Sequence, residues 1–322
     1  MRTLVSAHDL TRDIQAFLRF KRAMGIRYWR AEIILEGFRR FVAQRWGARQ
    51  RVTLEEAVKG WSSRLDGRKA VTVSNEFGVV RQLCLWRRRH DPSSYVPEHA
   101  SAPVKESVFV PYIFSHEEIK QMVEAASGHR GRSIWAPMFR ALILVLYCTG
   151  LRLGEAVRLR MQDVDLQRCT FMIRNSKGRS RIVAFRDDLA DELRRYLSAR
   201  QRLVEDCGND PPAFFLRLRA KPLTVKSASQ ALRRLLRQLG IKPLCGRIGA
   251  RPYELRHAFA VHRLTAWALA GEDIHARLPW LSAYLGHQNV LGTEVYLKAI
   301  PQLLELASSR FADHLRQARR QR

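Results

Sequence analysis

The spacing of apolar residues predicts a bundle of four helices in residues 1–91. Apolar side chains recur at helical spacing in three stretches, and Thr53–Glu56 has the sequence of a capping box that starts a further helix. The three apolar faces are Ile14, Phe17 and Leu18; Ile34, Phe38, Phe41 and Val42; and Val73, Phe77, Val80 and Cys84. We therefore expect an N-terminal helical domain with its own core.

The helical pattern stops after Asp91, where four prolines break a stretch with no sustained period. This predicts a linker over residues 92–112. Ser115–Glu118 is another capping box, so a second domain is predicted over residues 113–300. Beyond it, Pro301 is expected to open a C-terminal helix in residues 301–322, which end in a basic tail.

The apolar pattern of the second domain has the period of a helix in some segments and that of a strand in others. A helix is predicted around Phe139–Tyr147, with a short one near Leu153, and helices return near Asp187 and over Val225–Leu239. Between them, Thr170–Ile173 and Arg181–Phe185 alternate as strands around the turn-rich Asn175–Gly178, and Phe214–Leu216 has the composition of a short strand. The predicted fold is mainly α with a small antiparallel β-sheet, an α+β domain behind a helical bundle.

The charge balance indicates the kind of partner that the protein binds. The 322 residues include 57 Lys and Arg against 30 Asp and Glu, a net charge of +27, and such a surface is typical of proteins that bind nucleic acid. No apolar run is long enough to span a membrane, and the N-terminus does not resemble a signal peptide. We expect a cytoplasmic, nucleoid-associated protein that does not bind membranes.

The five cysteines predict neither a zinc site nor disulfides, because they are widely spaced and form no C-x-x-C pair. Cys84 and Cys148 lie in apolar helical patterns and are interpreted as small buried side chains.

A basic helix end is the predicted DNA contact of the first domain. The helix whose apolar face ends at Cys84 is made strongly basic by Arg81, Arg87, Arg88 and Arg89, as expected of a helix that lies against phosphates. A solvated charged face is the alternative for these arginines.

Five segments of the second domain carry candidate chemistry. They are Cys148–Ala156, Lys177 in the hairpin turn, Arg251–Ala260, Tyr284–Gln288 and Gly292–Leu297. In this order they resemble the active-site motifs of the tyrosine site-specific recombinases, the phage integrase family. The resemblance implies that the second domain is catalytic and that the two domains clamp a DNA duplex.

The resemblance also implies a role for each residue. Arg152 and Arg256 would bind the scissile phosphate, with Glu155 orienting Arg152. His287 would donate to a phosphate oxygen, and Lys177 would protonate the leaving 5′-hydroxyl. Tyr296 would be the nucleophile that forms a 3′-phosphotyrosine. Neither a metal nor a cofactor is needed for this chemistry.

The sequence departs from the family's pattern at one position. Tyr253 stands three residues before Arg256, where the family usually has a histidine, and a phenol accepts protons poorly near neutral pH. Whether Tyr253 binds the phosphate or only packs stays open. His257 is interpreted as structural, since His257 and His262 do not share a helix face as a metal-binding pair would.

The resemblance implies an enzyme that recombines specific double-stranded DNA sites as a homotetramer on two sites, with accessory or sister recombinases as further candidate partners. An extra loop or helix over Trp267–Trp280 is similar to recombinases carried by transposons, so integration or transposition of a mobile element is favoured. Dimer resolution and cassette exchange stay open. The alternatives are a type IB topoisomerase-like enzyme and a non-catalytic DNA-binding protein of the same fold.

Overall fold

The computed structural model describes residues 4–64, 70–98, 111–128, 134–176, 179–246, 249–294 and 296–297. The chain divides into two compact units between residues 109 and 110. Tyr95 and Val96 pack on the core of the first unit, and Tyr112 packs on the core of the second. The predicted limits at 91 and 113 stay predictions.

The first unit is a helical bundle with one small two-stranded sheet. Its elements are β1 (Leu4–Val5), α1 (Ala7–Ala23), α2 (Trp29–Trp46), β2 (Val52–Thr53), α3 (Leu54–Ser62) and α4 (Ala70–His90). Strands β1 and β2 pair antiparallel, with Val5 opposite Val52. The predicted apolar faces meet in one core, in which Phe38 and Trp61 make an edge contact.

Two predicted capping boxes are confirmed. The Thr53 hydroxyl accepts the N–H of Glu56 at 3.2 Å at the start of α3, and the Ser115 hydroxyl accepts the N–H of Glu118 at 3.1 Å in the second unit. In each case the glutamate carboxylate accepts the backbone N–H of the capping residue. The box therefore pairs N–H groups that have no acceptor within the first helical turn.

The second unit is mainly helical. Its elements are α5 (His116–Ser127), α6 (Trp135–Thr149), α7 (Leu153–Val157), a 3₁₀ turn (Met161–Asp163), β3 (Val164–Asp165), β4 (Thr170–Ser176), β5 (Arg179–Ala184), α8 (Asp187–Cys207), β6 (Leu216–Arg217), β7 (Lys221–Pro222), α9 (Val225–Gln238), α10 (Glu254–Leu269), α11 (Ile274–Leu285) and α12 (Leu291–Glu294). Helix α6 is apolar on nearly every side and packs against α5, α8 and α10. The predicted fold class is confirmed.

A three-stranded antiparallel sheet, in the order β3-β4-β5, carries the predicted hairpin. Both of its long strands reach further toward the turn than predicted, to Ser176 and from Arg179. Phe171 lies opposite Val183, and Ile173 lies opposite Arg181. Since side chains alternate across a strand, Arg181 shares the inward face of β5 with buried Val183.

Some predictions for the second unit needed correction. The strand near Phe214–Leu216 begins only at Leu216, because the Phe214 N–H donates to the Leu159 carbonyl at 2.8 Å rather than to β7. Cys148 is exposed rather than buried, since an almost wholly apolar helix gives no period from which its outer side could be identified. All five cysteines are free thiols.

The long interval between Arg256 and His287 is filled by helix. Helix α10 continues to Leu269, and α11 begins at Ile274 after a turn. That the stretch Trp267–Trp280 is extra relative to other recombinases stays a prediction. The predicted C-terminal helix in 301–322 lies outside the described residues.

Candidate active site

Arg152 follows a sharp turn between α6 and α7. Gly150 ends α6 in the left-handed region, with φ 60°, and its N–H donates to the Leu146 carbonyl at 3.1 Å. A Cβ on Gly150 would lie 2.5 Å from Phe259 and 2.9 Å from Leu285, so only glycine fits this close approach. The turn therefore brings the segment before Arg152 against α10 and α11.

Glu155 is the centre of a buried ionic cluster. Its carboxylate is 3% exposed and accepts from Arg152 Nη1 at 2.7 Å, from Arg181 Nη2 at 3.0 Å, and from the Ser176 hydroxyl. Burial alone would raise the pKa of Glu155, but the hydrogen bonds from Arg181, Ser176 and the Arg152 backbone outweigh it and lower the pKa to about 2. One carboxylate thus balances two guanidinium groups, which leaves a net positive charge.

Arg181 is a site residue that the sequence analysis missed. Its Nε donates to the Tyr284 carbonyl at 2.8 Å while its other nitrogens bind Glu155, so it joins β5 to the end of α11. Gly286, with φ 68°, leaves room for it, because a Cβ there would lie 2.8 Å from Arg181 Nη1. Its position on the inward face of a strand was the signal, since a buried charge needs a partner.

Arg256 lies on α10 and is 1% exposed. Its two terminal nitrogens donate to backbone carbonyls, Nη1 to Gly150 at 2.8 Å and Nη2 to Leu285 at 2.7 Å. Its Nε is buried and has no hydrogen-bond partner among the described residues. Burial and then the charge of Arg152 lower the pKa of Arg256. The two arginines are therefore close enough to repel each other, as expected of groups that await an anion.

His287 is held by the loop after α11. Its backbone N–H donates to the Ser282 carbonyl at 3.0 Å, and its Nδ1 shares a hydrogen bond with the buried Thr293 hydroxyl at 2.7 Å. The ring orientation is thus fixed through one nitrogen. The preceding Gly286 carbonyl accepts from Arg152 Nη2 at 3.4 Å, so this loop also touches the first arginine.

Tyr296 is 2% exposed and packs in a small apolar cluster with residues of α10 and α11. Its ring centre lies 5.2 Å from that of His257 and 6.2 Å from that of His287. Burial raises the pKa of Tyr296, and the positive charge of Arg256 works against that rise. The structure therefore brings Arg152, Glu155, Arg256, His287 and Tyr296 together.

The remaining predicted residues of the second unit differ in placement. Tyr253 is 44% exposed at the start of α10, and its ring centre lies 5.0 Å from that of His257. Lys177 lies outside the described residues. Its neighbour Ser176 reaches Glu155, so β4 runs into the site immediately before Lys177.

The basic end of α4 is only partly available for DNA. Arg81 Nε donates to the Pro97 carbonyl at 2.9 Å, and Arg87 forms an ion pair with Asp13 inside the bundle. Arg88 and Arg89 are exposed. Both contacts are made to segments outside α4, at Pro97 shortly after the helix and at Asp13 on α1, and helical periodicity does not reveal them.

Two absences hold for the described part of the chain. It contains no group of three or more His, Cys, Asp or Glu side chains placed to hold a metal ion. It also contains no helix that is long and apolar enough to cross a bilayer.

Fold and site define a tyrosine recombinase. Residues 113–302 match the phage integrase family, and this chain belongs to that family. The match begins next to the Ser115 capping box and covers every segment of the candidate site.

Relatives span nearly the whole chain. The integrase/recombinase y4rB of Sinorhizobium fredii is 29% identical over 92% of this chain and 95% of its own length. The solved XerH recombinase, a post-cleavage complex with palindromic difH substrate, matches with a TM-score of 0.69 at 18% identity and covers 95% of this chain and 85% of that one. The Tn1549 transposon integrase with transposon right end DNA matches with a TM-score of 0.63 at 17% identity. The match covers 93% of this chain and 99% of that one. The two solved structures support the fold alone.

Proposed function

We propose that this chain is a site-specific DNA recombinase that cleaves and rejoins strands through a 3′-phosphate ester on Tyr296. The observation that carries the proposal is the meeting of two arginines, a histidine and a buried tyrosine from four separate segments of the chain. No single residue among them is informative alone. Together they supply both an anion site and a nucleophile.

The arginines are the proposed phosphate site. Arg152 and Arg256 carry charge that Glu155 neutralises only in part, and the buried Nε of Arg256 offers an unused donor. A phosphodiester oxygen supplies the missing acceptor. The same donors would stabilise the extra negative charge of a pentacoordinate phosphorus, where fixed dipoles are worth most.

Tyr296 is the proposed nucleophile. Its phenol oxygen bonds to phosphorus as the bond to the 5′-oxygen breaks, and the leaving oxygen takes a proton from Lys177, a role assigned by resemblance. The reverse reaction regenerates the phosphodiester, so rejoining needs no ATP. Because Tyr296 is 2% exposed, we expect DNA binding to bring its hydroxyl out to the phosphate.

The proposed partner is double-stranded DNA, bound through the net charge of +27 and through Arg88 and Arg89. The solved relatives with difH substrate and with transposon end DNA support this. We propose a homotetramer on two sites, acting on cytoplasmic, nucleoid DNA. The transposon integrase and the Sinorhizobium relative favour integration or transposition of a mobile element.

The proposal is tested with a suicide substrate taken from the DNA that flanks the coding sequence. A nick near the cleavage point lets the short 5′-hydroxyl fragment leave, so the covalent adduct accumulates. We expect the wild type to form the adduct and Tyr296→Phe to form none. A Tyr284→Phe variant, which changes a tyrosine on α11, should still form it.

A two-site plasmid separates the alternatives. Exchange between the sites supports a recombinase, whereas relaxation without exchange would indicate a topoisomerase-like enzyme. Tight DNA binding with no adduct on any flanking sequence would indicate a non-catalytic member of the fold and overturn the proposal.

A further inference from the structure

His257 lies between the exposed Tyr253 and the buried Tyr296. It sits one turn after Tyr253 on α10, and its ring makes edge contacts with both phenol rings, at 5.0 Å and 75° and at 5.2 Å and 65°. The imidazole therefore stands against the proposed nucleophile. It is also close to the position where the sequence lacks the expected histidine.

One nitrogen of this imidazole is unsatisfied. His257 Nδ1 is buried and has no hydrogen-bond partner among the described residues. Buried nitrogens in native proteins are almost always paired, and an exception calls for a reason such as a catalytic role. An imidazole nitrogen that bonds nothing at rest can accept a hydrogen bond or a proton when a donor moves toward it.

The charge state of His257 fits this task. Burial first, and then the positive charges of Arg256 and Arg251, lower the pKa of His257 to about 4. The ring is therefore neutral near pH 7, which is the form that accepts a proton. A phosphodiester bound at the arginines would offset their charge, raise the pKa of His257, and so make the ring more basic when substrate is present.

His262, on the same helix, shows what an ordinary buried histidine looks like here. Its pKa is likewise lowered to about 4, mainly by burial. However, its Nδ1 is hydrogen-bonded to the Tyr147 hydroxyl at 2.9 Å, and its ring stacks on His116 at 4.1 Å. His262 is thus satisfied by its neighbours, which makes it a matched control.

We propose that His257 accepts the proton of the Tyr296 hydroxyl during strand cleavage, an inference that rests on the proposed function. As the phenol oxygen bonds to phosphorus, its O–H bond breaks and the proton moves to the imidazole. The bond from phosphorus to the 5′-oxygen breaks, and that oxygen is protonated separately. In rejoining, the imidazolium of His257 returns the proton to the Tyr296 oxygen.

The test measures single-turnover adduct formation on the suicide substrate at several pH values. His257→Phe keeps the ring contacts and His257→Gln keeps a polar side chain, but neither takes up a proton. We expect both to slow cleavage about 100-fold at pH 7. The defect should shrink as the pH rises above about 10, because burial raises the pKa of Tyr296 above its ordinary value of about 10 and the phenol ionises without a base only at higher pH. His262→Phe should cleave at the wild-type rate.

A substrate with sulfur in place of the 5′-bridging oxygen separates the two proton transfers, because a thiolate leaves without a proton. It should restore cleavage by Lys177→Ala and leave the His257 variants slow. The inference is wrong if the His257 variants cleave the unmodified substrate at the wild-type rate at pH 7. It is also wrong if the sulfur substrate restores the cleavage rate of these variants. If Tyr296→Phe still forms the adduct, the proposed function itself fails.

Discussion

Arg256 and Tyr296 are both almost inaccessible, at 1% and 2% exposure, but their surroundings differ in kind. The arginine cluster, Arg152, Glu155, Arg181 and Arg256, is held by charge-assisted hydrogen bonds to a carboxylate and to backbone carbonyls. The tyrosine cluster, Tyr253, His257, His287 and Tyr296, is held mainly by ring contacts, together with a hydrogen bond between His287 and Thr293 and an interaction of the Tyr296 hydroxyl with Arg256.

The difference matches two tasks. A phosphate site works best when its donors are fixed before the charge develops, and short charge-assisted bonds fix them. A nucleophile must instead travel to phosphorus and back. Ring contacts are weaker and less directional, so they can be exchanged for contacts with DNA at a small free-energy cost. We therefore expect substitutions in the arginine cluster to impair cleavage more than those that only loosen the tyrosine cluster.

Among substitutions that keep the nucleophile, the largest effect is expected from Arg256→Lys. Lysine keeps the charge but cannot reach the Gly150 and Leu285 carbonyls while also offering a donor to the phosphate. Loss of one such donor lowers the cleavage rate about 100- to 1000-fold. Single-turnover adduct formation measures it.

Arg200→Lys is the matched control. Arg200 is an equally buried arginine of the same unit and binds Asp210 and two carbonyls far from the site in sequence. It should lower the free energy of unfolding but leave the cleavage rate per folded molecule unchanged. Equal loss of cleavage in both variants would mean that Arg256 is only structural.

Glu155→Gln comes next, with a loss of cleavage of about 10- to 100-fold. It leaves Arg152 and Arg181 without their shared carboxylate, and breaking a buried pair costs about 3–5 kcal/mol of unfolding free energy. Asp163→Asn removes another buried carboxylate, one that binds Arg174. It should destabilise the chain without slowing cleavage by folded protein. If Glu155→Gln and Asp163→Asn cleave equally well, the charges of the arginine cluster do not contribute to cleavage.

One residue of each cluster could be placed locally from the sequence, since Gly150 and Gly286 are left-handed helix ends just before Arg152 and His287. The strand pattern marks Arg181 as inward-facing, but its partner could not be predicted, because the pairing with Glu155 depends on the register that sets Arg181 opposite Ile173. The contact of His257 with Tyr296 was missed because it also joins segments that are distant in sequence. Helical spacing shows which face His257 occupies but not which distant segment packs there.

Thr293→Val tests the tyrosine cluster and should lower cleavage only about 10-fold. Valine keeps the volume of the buried threonine but loses the hydrogen bond that orients His287. Ser282→Ala removes a hydroxyl on α11 that donates to the Asn289 carbonyl, and it should cleave normally. A loss as large as that of Arg256→Lys would contradict the contrast between the clusters.

The smallest effect concerns stability against pH. His257 and His262 have folded pKa values of about 4 against 6.5 unfolded, so the unfolded chain binds more protons as the pH falls from 6.5 to 4. Each should reduce the unfolding free energy over that range by about 1–2 kcal/mol, after allowance for partial exposure. Glu155 stays ionised throughout, since its pKa is about 2. The measure is the urea midpoint against pH.

Replacing both histidines with phenylalanine should flatten that profile. An unchanged slope would show that other groups titrate and that neither imidazole is buried as described.

Mapping the trapped adduct shows whether Tyr296 itself becomes joined to DNA. Trypsin should release Leu278–Lys298, a peptide that contains both Tyr284 and Tyr296. After nuclease digestion, fragmentation in a mass spectrometer shows which phenol carries the 3′-nucleotide. We expect the modification on Tyr296 alone, whereas a nucleotide on Tyr284 or on any other residue would overturn the proposed function.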